Sequence, residues 1–401
     1  AGTLLLSMQV AAKPSSEAKE VRGIITGFAL FAMFFGAGNV IFPPYLGMTS
    51  GTEWLTGFLC FIFIDVFLSC IGIFTIVYGG GGIKALESVV GKIPGMILNV
   101  AAVLCTGVLI APPRTAATTF EMSIAPFTDK ISLFVFSIIF FGIVFAFTIR
   151  PTRFVDIIGK FLTPVLIICT FILIIAGILS PIGEIAAPVS QTVAEDGIIA
   201  GYQTMDILVV SGFGLVMLNT LRLKGYVERK SQIKAIIGVC IVAGILLSLI
   251  YGGLAYLGAT SSVVLGNNNI NQAQLIVAIT NHLMGHTGMV ILGIIVGFAC
   301  LTTAVGLIGS TACFFEDFTN KKIKYPVWVV INTLISISLC NLGLTTIINV
   351  AVPILTTICP PFMITVLLLL FRNQIKNTLV YKGIALVAFL YGLISTIQSY
   401  M

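Results

Sequence analysis

The residues of this chain best suited to chemistry are suited to binding. The clearest group is FFGAGNVIFPPYLG, residues 34–47, where Gly36, Gly38, Asn39 and then Pro43-Pro44 interrupt an otherwise apolar run. A glycine inside a helix costs about 1 kcal/mol relative to alanine, and an interior proline roughly 3 kcal/mol. In an apolar medium a broken backbone survives only where protein or a polar ligand satisfies its open N–H and C=O groups. Asn39 is placed to cap a second half-helix starting at Val40, with Pro43 in the first turn, where missing backbone donors cost least. That geometry aims free N–H groups and a positive dipole end at an anion, while the preceding half-helix offers free carbonyls to a cation. A kink tolerated by close packing is the plainer reading. Two glycines, an asparagine and two prolines together exceed what a kink requires.

Other residues extend this theme. TMDILVVSGFGLVMLN holds Ser211, Gly212, Phe213 and Gly214 in a second glycine-interrupted apolar run; alone, a helix-packing glycine pair explains it. In FACLTTAVGL the carbonyl of Ala299 and the hydroxyls of Thr302 and Thr303 gather three oxygens on one helical turn, as a hard alkali cation prefers, although membrane threonines often bond back to their own helix. Asp65 lies near the middle of EWLTGFLCFIFIDVFLSCIGIFTIVY, where a carboxylate must face the protein interior. It serves either to titrate or hold a cation, or, as the favoured reading, to accept hydrogen bonds from the broken backbone of the first run. Arg114 follows Pro112-Pro113, which are expected to bend their helix. It either pairs with a carboxylate on another helix or faces a substrate carboxylate or a gate. Arg150, Arg153, Asp156 and Lys160 read as a surface cluster. His282 and His286 share a helical face without a third ligand, and the cysteines, lacking CxxC spacing, read as small core residues. No nucleophile, base and metal cluster of an enzyme is present, and no filter repeat of a channel.

The elements that position these residues are membrane helices. Of 401 residues, 58% are hydrophobic and 9% charged, with a mean hydropathy of +1.12. Eleven apolar stretches are expected to span, at 23–47, 53–78, 95–123, 131–149, 154–180, 200–224, 232–258, 287–315, 326–342, 345–371 and 380–398. Their continuous apolar character predicts a helical bundle and not a barrel. With the N-terminus cytoplasmic, 19 of the 21 Lys and Arg fall on that side, Arg114 and Lys130 being the exceptions, whereas the loop 181–206 is acidic. The net charge of +6 is therefore membrane-facing and gives no support to nucleic-acid binding. Residues 1–21 read as a mobile extension. Breaks in the first and sixth spans, each opening a set of five, are the pattern of inverted repeats, here 22–180 and 181–371, with 372–401 outside them.

FFGAGNVIFPPYLG, APPRTAATTFE, RPTRFVDIIGKFLTP, GYQTMDIL, ACLTTAVGLI and NLGLTTII resemble, in order, segments of the bacterial branched-chain amino acid:cation symporters, over roughly residues 22–398. The resemblance implies an all-α membrane protein of the leucine-transporter-type fold. It also implies import of leucine, isoleucine and valine across the bacterial cytoplasmic membrane, coupled to sodium, or to protons in some relatives, with no cofactor. In that fold Gly36, Ala37, Gly38 and Asn39 would meet the substrate carboxylate and a cation, and Ser211, Gly212, Phe213 and Gly214 the amino group and side chain. Ala299, Thr302 and Thr303 would hold sodium with carbonyls near Ala32 and Phe35. Family members resemble twelve-span proteins, so the stop after the eleventh span implies a missing twelfth helix.

Overall fold

The computed structural model of the chain describes residues 16–79, 84–149, 153–266, 270–371 and 378–398. The first span is two helices, α1 (Ser16–Phe34) and α2 (Ala37–Ser50), separated by Phe35 and Gly36. The second runs through α3 (Trp54–Ile62), a π-helical turn at Phe63–Leu68 and α4 (Ser69–Tyr78). After α5 (Lys84–Val90), the third comprises α6 (Lys92–Leu104), a π turn at Cys105–Leu109 and α7 (Ala111–Ser123). Then come α8 (Leu133–Ile149), α9 (Arg153–Leu179), α10 (Val193–Thr204), α11 (Asp206–Leu223), α12 (Arg229–Thr260) and the short α13 (Ser262–Leu265). The chain closes with α14 (Gln272–Phe318), α15 (Tyr325–Cys340), α16 (Leu344–Leu368) and α17 (Thr378–Gln398).

Seven helical stretches among the described residues are long and apolar enough to cross a membrane, and four shorter apolar helices accompany them. Apolar side chains cover both the core and the outside. On α8, Phe140, Phe141 and Val144 are buried, while Phe134, Val135, Ile138 and Ile139 are exposed. A helix apolar all round is the signature of a bundle solvated by lipid.

Several local expectations need correction. The chain between 181 and 206 is not all loop, because α10 occupies its second half. Pro112 and Pro113 lie in the first turn of α7, where they cost little, and the departure from α-helix precedes them at the π turn and Ile110. The eighth helix begins at Gln272 and bends at Gly285, whose φ of 67° suits a residue without Cβ. Residues 1–15, Arg150 and the side chains of Arg153, Asp156 and Lys160 lie outside the described residues.

The crossing of α2 and α12 shows how backbone approach is bought with glycine. A Cβ on Gly47 would overlap the carbonyl of Ala255, and one on Gly258 the carbonyl of Pro44. Small residues at such a crossing let two backbones meet without side chains between them. Gly258→Leu should therefore force α12 off α2, at an overpacking cost of about 1–3 kcal/mol. A lowered unfolding midpoint in detergent is the expected result, and an unchanged midpoint would show that this crossing is loose.

Candidate functional site

The break between α1 and α2 opens on a cavity of about 90 Å³ near the middle of the bundle. The last turn of α1 contributes Ala32, Met33 and Phe34, the break Phe35 and Gly36, and α2 Gly38 and Asn39. Ala111, Arg114 and Thr115 enter from α7, Thr204 from α10, Asp206, Val209 and Phe213 from α11, and Thr303 and Leu307 from α14. One wall is thus apolar, with the Phe34 and Phe213 rings 5.5 Å apart. The other carries amide, hydroxyl, guanidinium and carboxyl groups.

Local structure explains the polar wall. Gly36 precedes the first residue of α2 in an extended conformation, and no side chain caps this helix start. The first N–H groups of α2 therefore keep free hydrogen-bonding capacity at the cavity, as every uncapped helix start does. Asn39 does not act as the cap expected of it. It lies inside α2, buried, and its Nδ2 donates to Asp206 Oδ2 and to the Tyr251 hydroxyl, both at 2.8 Å. Pro43 and Pro44 likewise fall inside α2, beyond its first turn.

Arg114 is buried, with its guanidinium 5.2 Å from the centre of the Phe42 ring and its Nη1 donating to the Gln203 carbonyl at the end of α10. It lines the cavity, and Asp206 acts on its charge from nearby. A Cβ on Gly38 would stand 2.7 Å from Arg114 Nη2, so a larger residue there must displace the guanidinium.

The second break is displaced from its expected place. Residues 211–214 lie inside the continuous helix α11, and the interruption falls at Met205, between α10 and α11. Met205 is left-handed, with φ 65° and ψ 12°, a conformation that costs a side-chain-bearing residue of order 1–3 kcal/mol and tends to mark functional positions. Of the four residues singled out, Phe213 lines the cavity. Gly214 packs on Ile76 of α4, as a helix-packing glycine does, Gly212 is exposed, and Ser211 is buried away from the cavity lining.

Among the oxygens proposed for a cation, Ala32, Phe35 and Thr303 share the cavity, whereas Thr302 donates back to the Ala299 carbonyl at 2.9 Å. Ala37 opens α2, and its side chain lies outside the described residues. Asp65 does not reach the first-span break. It is buried on the π turn beside Thr204 and Asp206, with neither oxygen hydrogen-bonded among the described residues. Asp206 and Tyr251 were invisible to sequence reasoning as site residues. The signal for Asp206 was a carboxylate in TMDIL at the start of an apolar run; nothing local marks Tyr251.

Comparison with known proteins agrees with this architecture. The inward-facing structure of Mhp1 is similar over 94% of this chain and 88% of its own, with a TM-score of 0.65 at 15% identity. A substrate-bound sodium-coupled sialic acid symporter is similar over 94% and 89%, with a TM-score of 0.58 at 13% identity. These likenesses establish the leucine-transporter-type fold, with its two inverted repeats and discontinuous first and sixth helices. In sequence, the branched-chain amino acid transport system 2 carrier protein of Pseudomonas aeruginosa is 35% identical over 381 residues, covering 92% of this chain and 85% of the relative. The branched-chain amino acid permease BraB of Bacillus subtilis is 36% identical over 359 residues, covering 88% and 80%. The family described as "Branched-chain amino acid transport protein" matches residues 19–401. The chain belongs to that family, one of membrane transporters and not of enzymes.

Proposed function

We propose that this protein imports leucine, isoleucine and valine by alternating access, driven by a sodium gradient. The observation that carries the reading is the single cavity shared by both helix breaks, apolar at Phe34 and Phe213 and polar at the start of α2 and at Arg114. The substrate carboxylate would take the open N–H groups of Gly38 and its neighbours, with Arg114 behind them. The aliphatic side chain would lie against Phe34, Val209 and Phe213. Sodium would sit between the carbonyls near Ala32 and Phe35 and the hydroxyl of Thr303, a set of neutral oxygens suited to a hard monovalent ion. The ion couples to transport if it stabilises the form that substrate also prefers. In this reading 22–180 and 181–371 are the two repeats, the N-terminus is cytoplasmic, and the membrane is the bacterial cytoplasmic membrane.

Uptake of labelled leucine into proteoliposomes, with and without an inward sodium gradient, tests the proposal. Uptake that a sodium gradient leaves unchanged would overturn sodium coupling. Uptake of none of the three amino acids would overturn the substrate. A finer test separates the two threonines. Thr303→Ala should raise the sodium concentration for half-maximal uptake by about tenfold, the cost of one lost oxygen at roughly 1.4 kcal/mol. Thr302→Ala should change it little, because its hydroxyl is already engaged with Ala299. Equal effects, or none for Thr303, would remove Thr303 from the site.

A further inference from the structure

Beside the cavity stands a pair of carboxyl groups that sodium-coupled transport as described above does not use. Asp65 and Asp206 are 2% and 6% exposed and face each other, with Thr204 alongside, at the interruption between α10 and α11. Helix register brings them together: Gly201 packs on Ile64, and Gly72 on Val210. Asp206 accepts from Asn39, and the same amide nitrogen donates to the Tyr251 hydroxyl, leaving that hydroxyl's own proton for another acceptor. Asp65 has no hydrogen bond among the described residues.

The charges do not balance. Among the described residues the cation near the pair is Arg114, which acts on Asp206 and is also engaged by the Gln203 carbonyl. It offsets one carboxylate, and two adjacent ionised carboxylates in a dry interior are not sustained. The second acid must hold a proton or a metal ion. Asp65 is not among the residues that line the cavity. The described residues also contain no group of three or more His, Cys, Asp or Glu that would hold a metal. A proton needs no volume.

We propose that Asp65 and Asp206 share one exchangeable proton, bound more tightly when the adjoining cavity holds substrate. The linkage rests on the reading of that cavity as the amino-acid site. A carboxylate bound at the start of α2 lies against Arg114, given the fit of Gly38 to Nη2, and so withdraws the guanidinium charge from Asp206. With less positive charge near it, the acid pair retains its proton. On α4 and α11, which pack together, Ser69, Thr75 and Ser211 are buried with hydroxyls lacking partners among the described residues.

The other titratable groups around the pair are few. Tyr251 on α12 faces both acids and Cys70 on α4 lies beyond it, paired by hydrogen bonding with Cys240. Cys60 on α3 is against Gly197, and Tyr202 on α10 is directed to Cys359 and Tyr391. Glu195 and Asp196 are in the first turn of α10, and Arg222, Arg229, Lys230 and Lys234 are at the remote ends of α11 and α12.

The test measures leucine affinity of purified protein from pH 5.5 to 8.5 at constant saturating sodium, with a pH indicator following protons taken up on binding. The expected result is affinity that falls as pH rises, approaching about tenfold per pH unit for one linked proton, and net proton uptake. Asp65→Asn should flatten the profile. Should that variant not fold, Asp65→Glu, which keeps a carboxyl group, should retain the slope with a displaced midpoint. Affinity independent of pH, proton release on binding, Asp65→Asn following the wild-type slope, or Asp65→Glu with an unmoved midpoint overturns the proposal. Exchange of labelled for unlabelled leucine by wild-type proteoliposomes at one pH separates the two readings. Its absence defeats the transport reading itself, whereas exchange with a flat pH profile defeats the shared proton alone.

Discussion

Gly38→Val is expected to weaken leucine binding by at least about a hundredfold, or roughly 2.7 kcal/mol, while the protein still inserts and purifies as a monodisperse species. The Cβ alone would stand 2.7 Å from Arg114 Nη2 and 3.2 Å from its Cζ. The guanidinium is the far end of a flexible side chain, so the fold can yield by moving it. That movement sacrifices the contact with the Gln203 carbonyl and the position over Phe42. The added methyl groups also cover the first N–H groups of α2, which a carboxylate must approach closely. Gly38→Ala should show a smaller loss by the same route. Equilibrium binding of labelled leucine, with size-exclusion profile and unfolding midpoint as controls, checks the result. A Gly38→Val protein that binds leucine normally would show that this backbone is not the binding surface.

What could be read from the sequence divides along a physical line. The first break falls at the start of the glycine-rich stretch, at Phe35 and Gly36, because the helix cost of glycine is local, although Gly38, Pro43 and Pro44 lie inside α2. The second break is made by Met205, a residue with no intrinsic preference for a left-handed backbone, held there by the surrounding fold. Reading glycines for breaks therefore led to Gly212 and Gly214, of which Gly214 instead permits close packing of α11 on α4. The same limit applies to side chains. Asn39 has the composition of a cap, yet its amide is directed into a network with Asp206 and Tyr251, residues 167 and 212 positions away. Such partners depend on helix register, which apolar sequences do not specify locally. Thr302 and Thr303 are adjacent and chemically alike. Only the packing of α14 near the first-span break brings Thr303 to the cavity and leaves the Thr302 hydroxyl on its own helix.

Substrate choice follows from the two walls of the cavity. Phe34, Phe35, Val209, Phe213 and Leu307 present apolar surface. Each methylene removed from water there is worth roughly 0.8 kcal/mol. Alanine has three fewer carbons than leucine, so it should bind about 2.4 kcal/mol more weakly, or roughly fiftyfold. Isoleucine, with as many carbons as leucine, should match it, and valine, one carbon shorter, should bind about fourfold more weakly. Glutamate would bring a second carboxylate into a space that already holds Asp206, with Arg114 shared between the Gln203 carbonyl and the first carboxylate. Lysine would bury an ammonium against the aromatic wall without a free anion. An uncompensated buried charge costs several kcal/mol, so neither should displace leucine at a hundredfold excess. Competition of labelled leucine uptake by a panel of unlabelled amino acids measures the ranking. Alanine or glutamate competing as well as isoleucine would mean that the aliphatic wall does not select the substrate, and would point to Arg114 as a receptor for a side-chain acid.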